Sequence, residues 1–288
     1  MAETDYAIAC DATCDLPASF LGAAGVEFAD APLDGDDLGP ATDAFERTYR
    51  ALASRGLGRV VSLHSCTTYS PLVEAARAAA RRCAGEVEVA VIDSGSASVA
   101  TGMLVDRAAR YRYFDVDFTD AVAALLALAE RARLLAVPSA TARLTKRRRS
   151  RRGGLLSRAT AGVRIRLTGD RGLYLLGGDN LTQLARSADL TVLSDRLAHA
   201  LSSVSSREGA LVYALAEGGD ARVLRAAEAA ISASGVTARC LGTVRAREAS
   251  AEVLGPGSLA LALAPEDAYE RPVSSLRSLG SAGSDSSE

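Results

Sequence analysis

The sequence predicts an α/β protein of two units, with mainly parallel sheets flanked by helices. Short apolar runs rich in β-branched residues alternate with longer Ala- and Leu-rich segments, which is the pattern of strands joined by helical crossovers. A strongly basic run followed by Gly153 and Gly154 divides this pattern in two. We therefore expect one α/β unit over residues 1–152, a second over 153–272, and a disordered Ser/Gly-rich tail over 273–288.

The first unit is predicted to begin with a strand, an Asp-containing loop and a helix. Residues 6–10 are an apolar run, and Pro17 follows Asp15 where a helix should start. Apolar residues three to four apart predict a helix over 42–55. Short apolar runs predict strands at 25–29, 60–63, 87–92 and 134–138. Ala- and Leu-rich segments predict helices at 72–80, through 103–108 and at 120–133.

The second unit is predicted to begin with a hairpin. Residues 163–167 alternate with period two, and an apolar run returns at 173–176 after the Gly-containing turn 169–172. The remaining elements are a mostly helical stretch at 182–203, a strand at 210–215, a helix at 220–234, and strands at 239–244 and 259–262.

Two consecutive strand-to-helix junctions carry small hydroxyl residues. Ser65, Thr67 and Thr68 follow the strand at 60–63, and Ser94 follows the strand at 87–92. The carboxyl ends of strands form the ligand cleft of open α/β sheets, and helix N-termini add N–H donors. These residues are therefore candidate ligand donors, although a single hydroxyl at such a junction is more often an ordinary helix cap.

Composition and charge exclude several classes of protein. The net charge is −2 with a pI near 5.9, so the whole chain has no attraction for nucleic acid. No apolar run approaches the roughly 20 residues of a membrane span. The five cysteines are scattered and odd in number, which indicates free thiols in a cytoplasmic protein. Cys10 and Cys14 have no second pair to complete a zinc site, so no metal or cofactor is expected.

No catalytic residue is predicted. His64 is expected to be solvent-exposed and idle, because no Ser/His/Asp constellation is visible in the sequence. Arg147, Arg148 and Arg149 belong to a run of six cationic residues in seven, which could dock an acidic partner or an acyl phosphate, or simply be solvated. The run lacks the interleaved aromatic residues of a nucleic-acid surface.

Five segments in order resemble the DegV family, bacterial fatty-acid-binding proteins of a two-lobed α/β fold. They are Asp-Ala-Thr-Cys-Asp-Leu-Pro at 11–17, Cys-Thr-Thr-Tyr at 66–69, Val-Ile-Asp-Ser at 91–94, the basic segment ending near Arg149, and Gly-Pro-Gly at 255–257. The resemblance implies a non-enzymatic carrier that buries a long-chain fatty acid between its lobes. It implies that Ser65, Thr67, Thr68 and Ser94 hold the carboxylate, and that a separate fatty-acid kinase phosphorylates it.

Two alternatives remain open from the sequence. One is an enzyme or sensor of a small phosphorylated or polyol ligand, with Asp11 and Asp93 as acid/base groups or metal ligands. The other is a diverged DegV protein that keeps the fold but not the lipid, since Val253 and Leu254 stand where the family has His-Thr.

Overall fold

The computed structural model describes residues 6–33, 37–139, 142 and 170–270, which form two β-sheets with a layer of helices between them. The strands are β1 (Ala7–Cys10), β2 (Val26–Phe28), β3 (Arg59–His64), β4 (Glu88–Asp93), β5 (Arg133–Val137), β6 (Arg171–Gly177), β7 (Asn180–Ser187), β8 (Leu211–Glu217), β9 (Ala238–Arg245) and β10 (Leu259–Pro265). The helices are α1 (Ala18–Ala23), α2 (Gly39–Ser54), α3 (Leu72–Arg82), α4 (Val99–Tyr113), α5 (Phe118–Arg131), α6 (Leu190–Glu208), α7 (Ala221–Ser234), α8 (Glu248–Leu254) and α9 (Glu266–Tyr269). No helix within the described ranges is long and apolar enough to cross a membrane.

The first sheet is parallel throughout, with strand order β2-β1-β3-β4. Its central strands β1 and β3 are covered by helices on both faces, so they are buried along almost their whole length. The register pairs Cys10 with Leu63 and His64 with Asp93. The carboxyl ends of β1, β3 and β4 therefore lie at one edge, as the sequence predicts.

The structure confirms the predicted α/β fold with sheets flanked by helices, although the second sheet is mostly antiparallel. Its order is β7-β6-β5-β10-β8-β9, and only β8 and β9 are parallel. The other four neighbouring pairs are antiparallel. The reason is topological: β6 and β7 are joined by a tight turn, and β10 returns to lie between β5 and β8. Apolar runs in a sequence show that strands exist but not which strands become neighbours.

The predicted helix over 182–203 begins too early. Residues through Ser187 belong to β7, and α6 starts at Leu190. Gly178 and Asp179 form the two-residue turn between β6 and β7, with φ of +57° and +59°. Two positive φ angles are characteristic of a type I′ hairpin turn, whose twist matches that of the strands it joins. The first strand of the hairpin predicted at 163–167 lies outside the described residues.

Helices α4 and α5 pack between the two sheets. Met103, Leu104 and Leu125 share one buried core with Val61 of the first sheet and Leu176 of the second. Helices α2 and α3 cover the outer face of the first sheet, and α6 and α7 cover that of the second. Strand β5, which the sequence places in the first unit, is a strand of the second sheet; the expected boundary at residues 152 and 153 lies outside the described residues.

Candidate functional site

The loops after β3 and β4 lie side by side at the edge of the parallel sheet. His64 and Asp93 are paired at the ends of their strands, so Ser65 and Ser94 leave the sheet together. The Ser94 N–H donates to the His64 carbonyl O over 2.9 Å and joins the two loops. The structure thus gathers the hydroxyl residues of both predicted junctions at one place.

Thr67 and Thr68 hold the carboxylate of Asp179, at the tip of the β6–β7 hairpin. Thr67 Oγ1 donates to Asp179 Oδ2, and the Thr68 N–H donates to Asp179 Oδ1, each over 2.9 Å. The Thr68 hydroxyl donates to the Asp179 carbonyl O over 3.0 Å, and the Asp179 N–H donates to Gly95 O over 3.0 Å. Within the described ranges, no cationic side chain pairs with this carboxylate. Two predicted site residues therefore bind a carboxylate that the chain itself supplies.

Hydrogen bonding keeps the Asp179 carboxyl ionised. Partial burial acts to raise the pKa of Asp179, but hydrogen bonds from Thr68, Thr67 and Cys66 outweigh burial and lower the pKa below its ordinary value. The pKa of the neighbouring Asp93 is raised, mainly by burial, and the charge of Asp179 adds to the effect. Neutral donors alone thus suffice to stabilise one negative charge at this position.

Ser65 and Ser94 belong to a buried ladder of hydroxyl groups centred on Thr101 of α4. Thr101 Oγ1 lies 3.0 Å from Ser65 Oγ and 3.0 Å from Ser94 Oγ. Ser65 Oγ lies 2.9 Å from Thr13 Oγ1, which also contacts Asp11 Oδ1 at 2.5 Å. All of these side chains are buried. The ladder ties the loops after β1, β3 and β4 to the start of α4.

The directions of the hydrogen bonds in this ladder are fixed at only one end. Thr13 Oγ1 is the donor toward both Asp11 Oδ1 and Ser65 Oγ. In the contacts of Thr101 with Ser65 and with Ser94, either hydroxyl can be the donor. Ser65 and Ser94 are thus both engaged by Thr101, and the ladder fixes the loops that carry them.

Asp11 also anchors a chain of buried side chains that faces α2. His64 Nδ1 lies 2.5 Å from Asp11 Oδ2, His64 Nε2 lies 2.8 Å from Ser62 Oγ, and Ser62 Oγ lies 2.8 Å from the Tyr49 hydroxyl. The expectation of an exposed, idle His64 is wrong, because His64, Asp11, Ser62 and Tyr49 are all 0 % exposed. The order Asp–His–Ser resembles a catalytic triad, but the serine is bonded to Tyr49 and buried. The arrangement holds α2 onto the sheet.

A second buried carboxylate, Asp15, connects the first sheet to α8. It accepts a short hydrogen bond from the Ser98 hydroxyl and another from the Arg247 N–H over 2.7 Å. Burial raises the pKa of Asp15 to about 6, although the hydrogen bonds from Ser98 and Arg247 act in the opposite direction. Asp15 is therefore a buried group that gains a proton in mildly acidic solution.

The carboxylates of the alternative hypothesis, Asp11 and Asp93, have separate partners. Asp11 is engaged by His64 and Thr13, whereas Asp93 accepts from the Gly95 N–H over 2.9 Å and lies 3.5 Å from Arg77. Over the part of the chain that the structure describes, no group of three or more His, Cys, Asp or Glu side chains could hold a metal ion.

The remaining predicted residues, Arg147, Arg148 and Arg149, lie outside the described residues. Sequence reasoning missed Asp179 and Thr101. The Gly178-Asp179 pair directly after the apolar run at 173–176 is a two-residue hairpin signal that would have placed Asp179 at a turn. Thr101 stands one residue before Gly102, at a position where the sequence alone gives no sign of a polar contact.

Comparison with known proteins agrees with the fold. Residues 38–166 match the family model described as "Uncharacterised protein, DegV family". No curated protein matches the sequence. A DegV family protein from Corynebacterium glutamicum has 16 % identity and a TM-score of 0.72, with 92 % of this chain and 99 % of that chain covered.

Two similar structures are described by the lipid they bind. One is a fatty-acid-binding DegV family protein from Thermus thermophilus, with 21 % identity, a TM-score of 0.71, and coverage of 91 % of this chain and 99 % of that chain. The other is a stearic acid-binding protein from Eubacterium ventriosum, with 17 % identity, a TM-score of 0.70, and coverage of 93 % and 100 %. At these identities the likeness establishes the fold.

Proposed function

We propose that this chain, which has the DegV fold and matches the DegV family model over residues 38–166, binds a long-chain fatty acid and holds its carboxylate at Thr67 and Thr68. The observation that carries the proposal is that these two residues already bind a carboxylate, through a hydroxyl and a backbone N–H. The fatty acids bound by the similar proteins from Thermus and Eubacterium support the choice of ligand.

The two donors suit a ligand carboxylate for a physical reason. A carboxylate that leaves water must receive hydrogen bonds on both oxygens, because an unpaired buried charge is very costly. Thr67 reaches one carboxylate oxygen of Asp179 and the Thr68 N–H reaches the other. The carboxylate of a fatty acid in the place of Asp179 would accept the same two hydrogen bonds.

Ser65 and Ser94 act in this proposal as positioning residues. Their hydroxyls are joined through Thr101, and the ladder holds the loops that carry Thr67 and Thr68. A rigid supporting layer of this kind keeps donors within hydrogen-bond distance of the ligand.

The apolar side chains next to the donors suit an acyl chain. Leu176 and Leu181 flank the hairpin tip and are buried in the core that also contains Met103 and Leu125. These side chains lie between the two sheets, where an acyl chain that starts at Thr67 would run. They must shift to admit it, and the acyl chain would then restore the buried apolar contact.

The proposal includes a partner. A carrier that buries the acyl chain between its sheets and holds the carboxylate at the sheet edge can present that carboxylate to a second protein. We propose an acyl kinase in that role, with Arg147, Arg148 and Arg149 as its docking loop. The carrier itself performs no reaction in this scheme, and its proposed location is the cytoplasm.

Mass spectrometry under native conditions tests the lipid. Protein purified from bacteria should carry an acyl chain, or should bind added oleate. Finding neither would refute the proposal and favour the alternative that this chain keeps the fold but does not bind lipid.

A charge placed in the site tests its position. Thr67→Glu should weaken oleate binding at least about 100-fold, because a fixed carboxylate repels the ligand and occupies its donors. Thr243→Glu adds the same charge to an exposed position on β9 and should leave binding unchanged. Equal oleate affinity in the two variants, both folded by circular dichroism, would move the site elsewhere.

A further inference from the structure

We propose that Asp179 is an internal ligand of the Thr67–Thr68 site, and that a fatty-acid carboxylate binds there by displacing it. This inference rests on the proposed function, since it names a competitor for the same donors. It makes the hairpin tip, Gly178 and Asp179, part of the lipid site.

The contacts of Asp179 are those of a bound carboxylate. Each of its two carboxylate oxygens accepts one hydrogen bond of 2.9 Å, from Thr67 Oγ1 and from the Thr68 N–H. A ligand carboxylate needs these same protons, and each N–H or O–H serves one strong acceptor. The nearby Asp93 adds negative charge, so two further carboxylates would not share the site. Occupancy by Asp179 and by a ligand is therefore mutually exclusive.

The backbone places Asp179 where its side chain must meet the loop. With φ of +59° it occupies the second central position of the turn, a conformation that Gly or Asn adopts more readily than Asp. Its N–H donates to Gly95 O, and a Cβ on Gly95 would lie only 3.4 Å from the Gly178 backbone. The turn is thus seated closely on the loop after β4, and the Asp179 side chain extends to the loop after β3.

Displacement of Asp179 requires movement only at the tip of the hairpin. Gly178 and Asn180 on either side of Asp179 are exposed. Leu176, farther along β6, is buried and pairs with Leu134 of β5. A movement confined to Gly178 and Asp179 breaks the contacts of Asp179 and frees both donors while β6 stays paired.

An internal ligand lowers the apparent affinity for an external one. If the tip is closed about nine times in ten, the apparent dissociation constant for the fatty acid rises about tenfold. It also rejects carboxylates that bind weakly, since a tethered group competes at a high effective concentration. Only a ligand whose acyl chain adds apolar contact would displace Asp179, which makes Asp179 a specificity-determining residue.

Two measurements on Asp179→Ala test the proposal. Oleate should bind this variant about tenfold more tightly than the wild type. Acetate, a carboxylate without an acyl chain, should restore the missing group: replacing about 100 mM chloride by acetate at neutral pH should raise the melting temperature of Asp179→Ala by about 2 °C or more. The wild type and the Asp179→Ala, Thr67→Val double variant should show no such rise.

The outcomes separate this inference from the proposed function. If neither wild type nor Asp179→Ala binds oleate, the lipid function fails and the acetate measurement alone decides whether the site is a carboxylate site. An Asp179→Ala protein that binds oleate no more tightly than the wild type would overturn displacement, and one without an acetate response would overturn the internal ligand. If Asp179→Ala does not fold, Asp179→Asn keeps the shape, removes the charge, and should shift oleate affinity in the same direction.

Discussion

Replacing Asp15 by asparagine should remove a pH-dependent term from the stability of the protein. Asp15 is 0 % exposed and accepts hydrogen bonds from Ser98 and from the Arg247 N–H. The amide of an asparagine side chain can still accept from Arg247 and can donate to Ser98, so the substitution preserves the contacts. What changes is that the amide cannot ionise.

The sign and size of the effect follow from the pKa of Asp15. Burial raises it from 3.8 to about 6, so between these values the folded protein binds more protons than the unfolded chain. The free energy of unfolding contributed by Asp15 is therefore largest below pH 4 and is lost as the pH rises through 6. From about pH 4.5 to 7.5 the wild type should lose about 2 kcal/mol relative to Asp15→Asn.

Urea unfolding at several pH values measures this difference. Ionisable groups that both proteins share, including Asp93, cancel when the wild type is compared with Asp15→Asn at each pH. Asp195→Asn, at an exposed position on α6, is the matched control and should show no trend. A wild-type-to-variant difference that is constant over this range, or that changes in the opposite direction, would refute the reasoning.

Three further results are expected. Asp11→Ala should lower the free energy of unfolding by about 3 kcal/mol or more, because His64 and Thr13 lose their buried acceptor; a loss under about 1 kcal/mol in urea unfolding would contradict the network. Gly102→Ala should cost about 1–3 kcal/mol by the same measurement, since its Cβ would lie 2.9 Å from the Asp15 carbonyl O, whereas Gly22→Ala, with open space around its Cβ, should be neutral or stabilising. A thiol reagent should modify Cys240 quickly in the native protein, because the other four cysteines are buried; fast labelling that persists in Cys240→Ser would show that a buried thiol is exposed.

The first sheet could be predicted from the sequence because its information is local. Each strand is a short apolar run followed by its own helix, and successive units of this kind form parallel neighbours at a common edge. The order of strands in the second sheet could not be predicted in this way, because β10 pairs with strands far from it in the chain. The pairing of Leu134 with Ala262 is an example. Apolar runs do not encode such partners.

The candidate site also has a part that the sequence predicts and a part that it does not. Thr67 and Thr68 were identified because they follow a strand and precede a helix. Their contact with Asp179 joins loops more than 100 residues apart, and it depends on a hairpin whose second strand the sequence pattern assigns to a helix. The Asp11–His64 contact could have been predicted from the sequence. Once β1 and β3 are neighbours, the pairing of Cys10 with Leu63 places Asp11 beside His64.

The place of β10 has a consequence for how the chain is made. This strand, residues Leu259–Pro265, lies in the middle of the second sheet and is hydrogen-bonded on both sides, to β5 and to β8. Until the ribosome has released it, β5 and β8 have no partner between them, and the faces of α4 and α5 that meet the sheet stay uncovered. Completion of the fold therefore waits for almost the last described residues, and nascent chains that stop before Leu259 should expose apolar helices and bind chaperones.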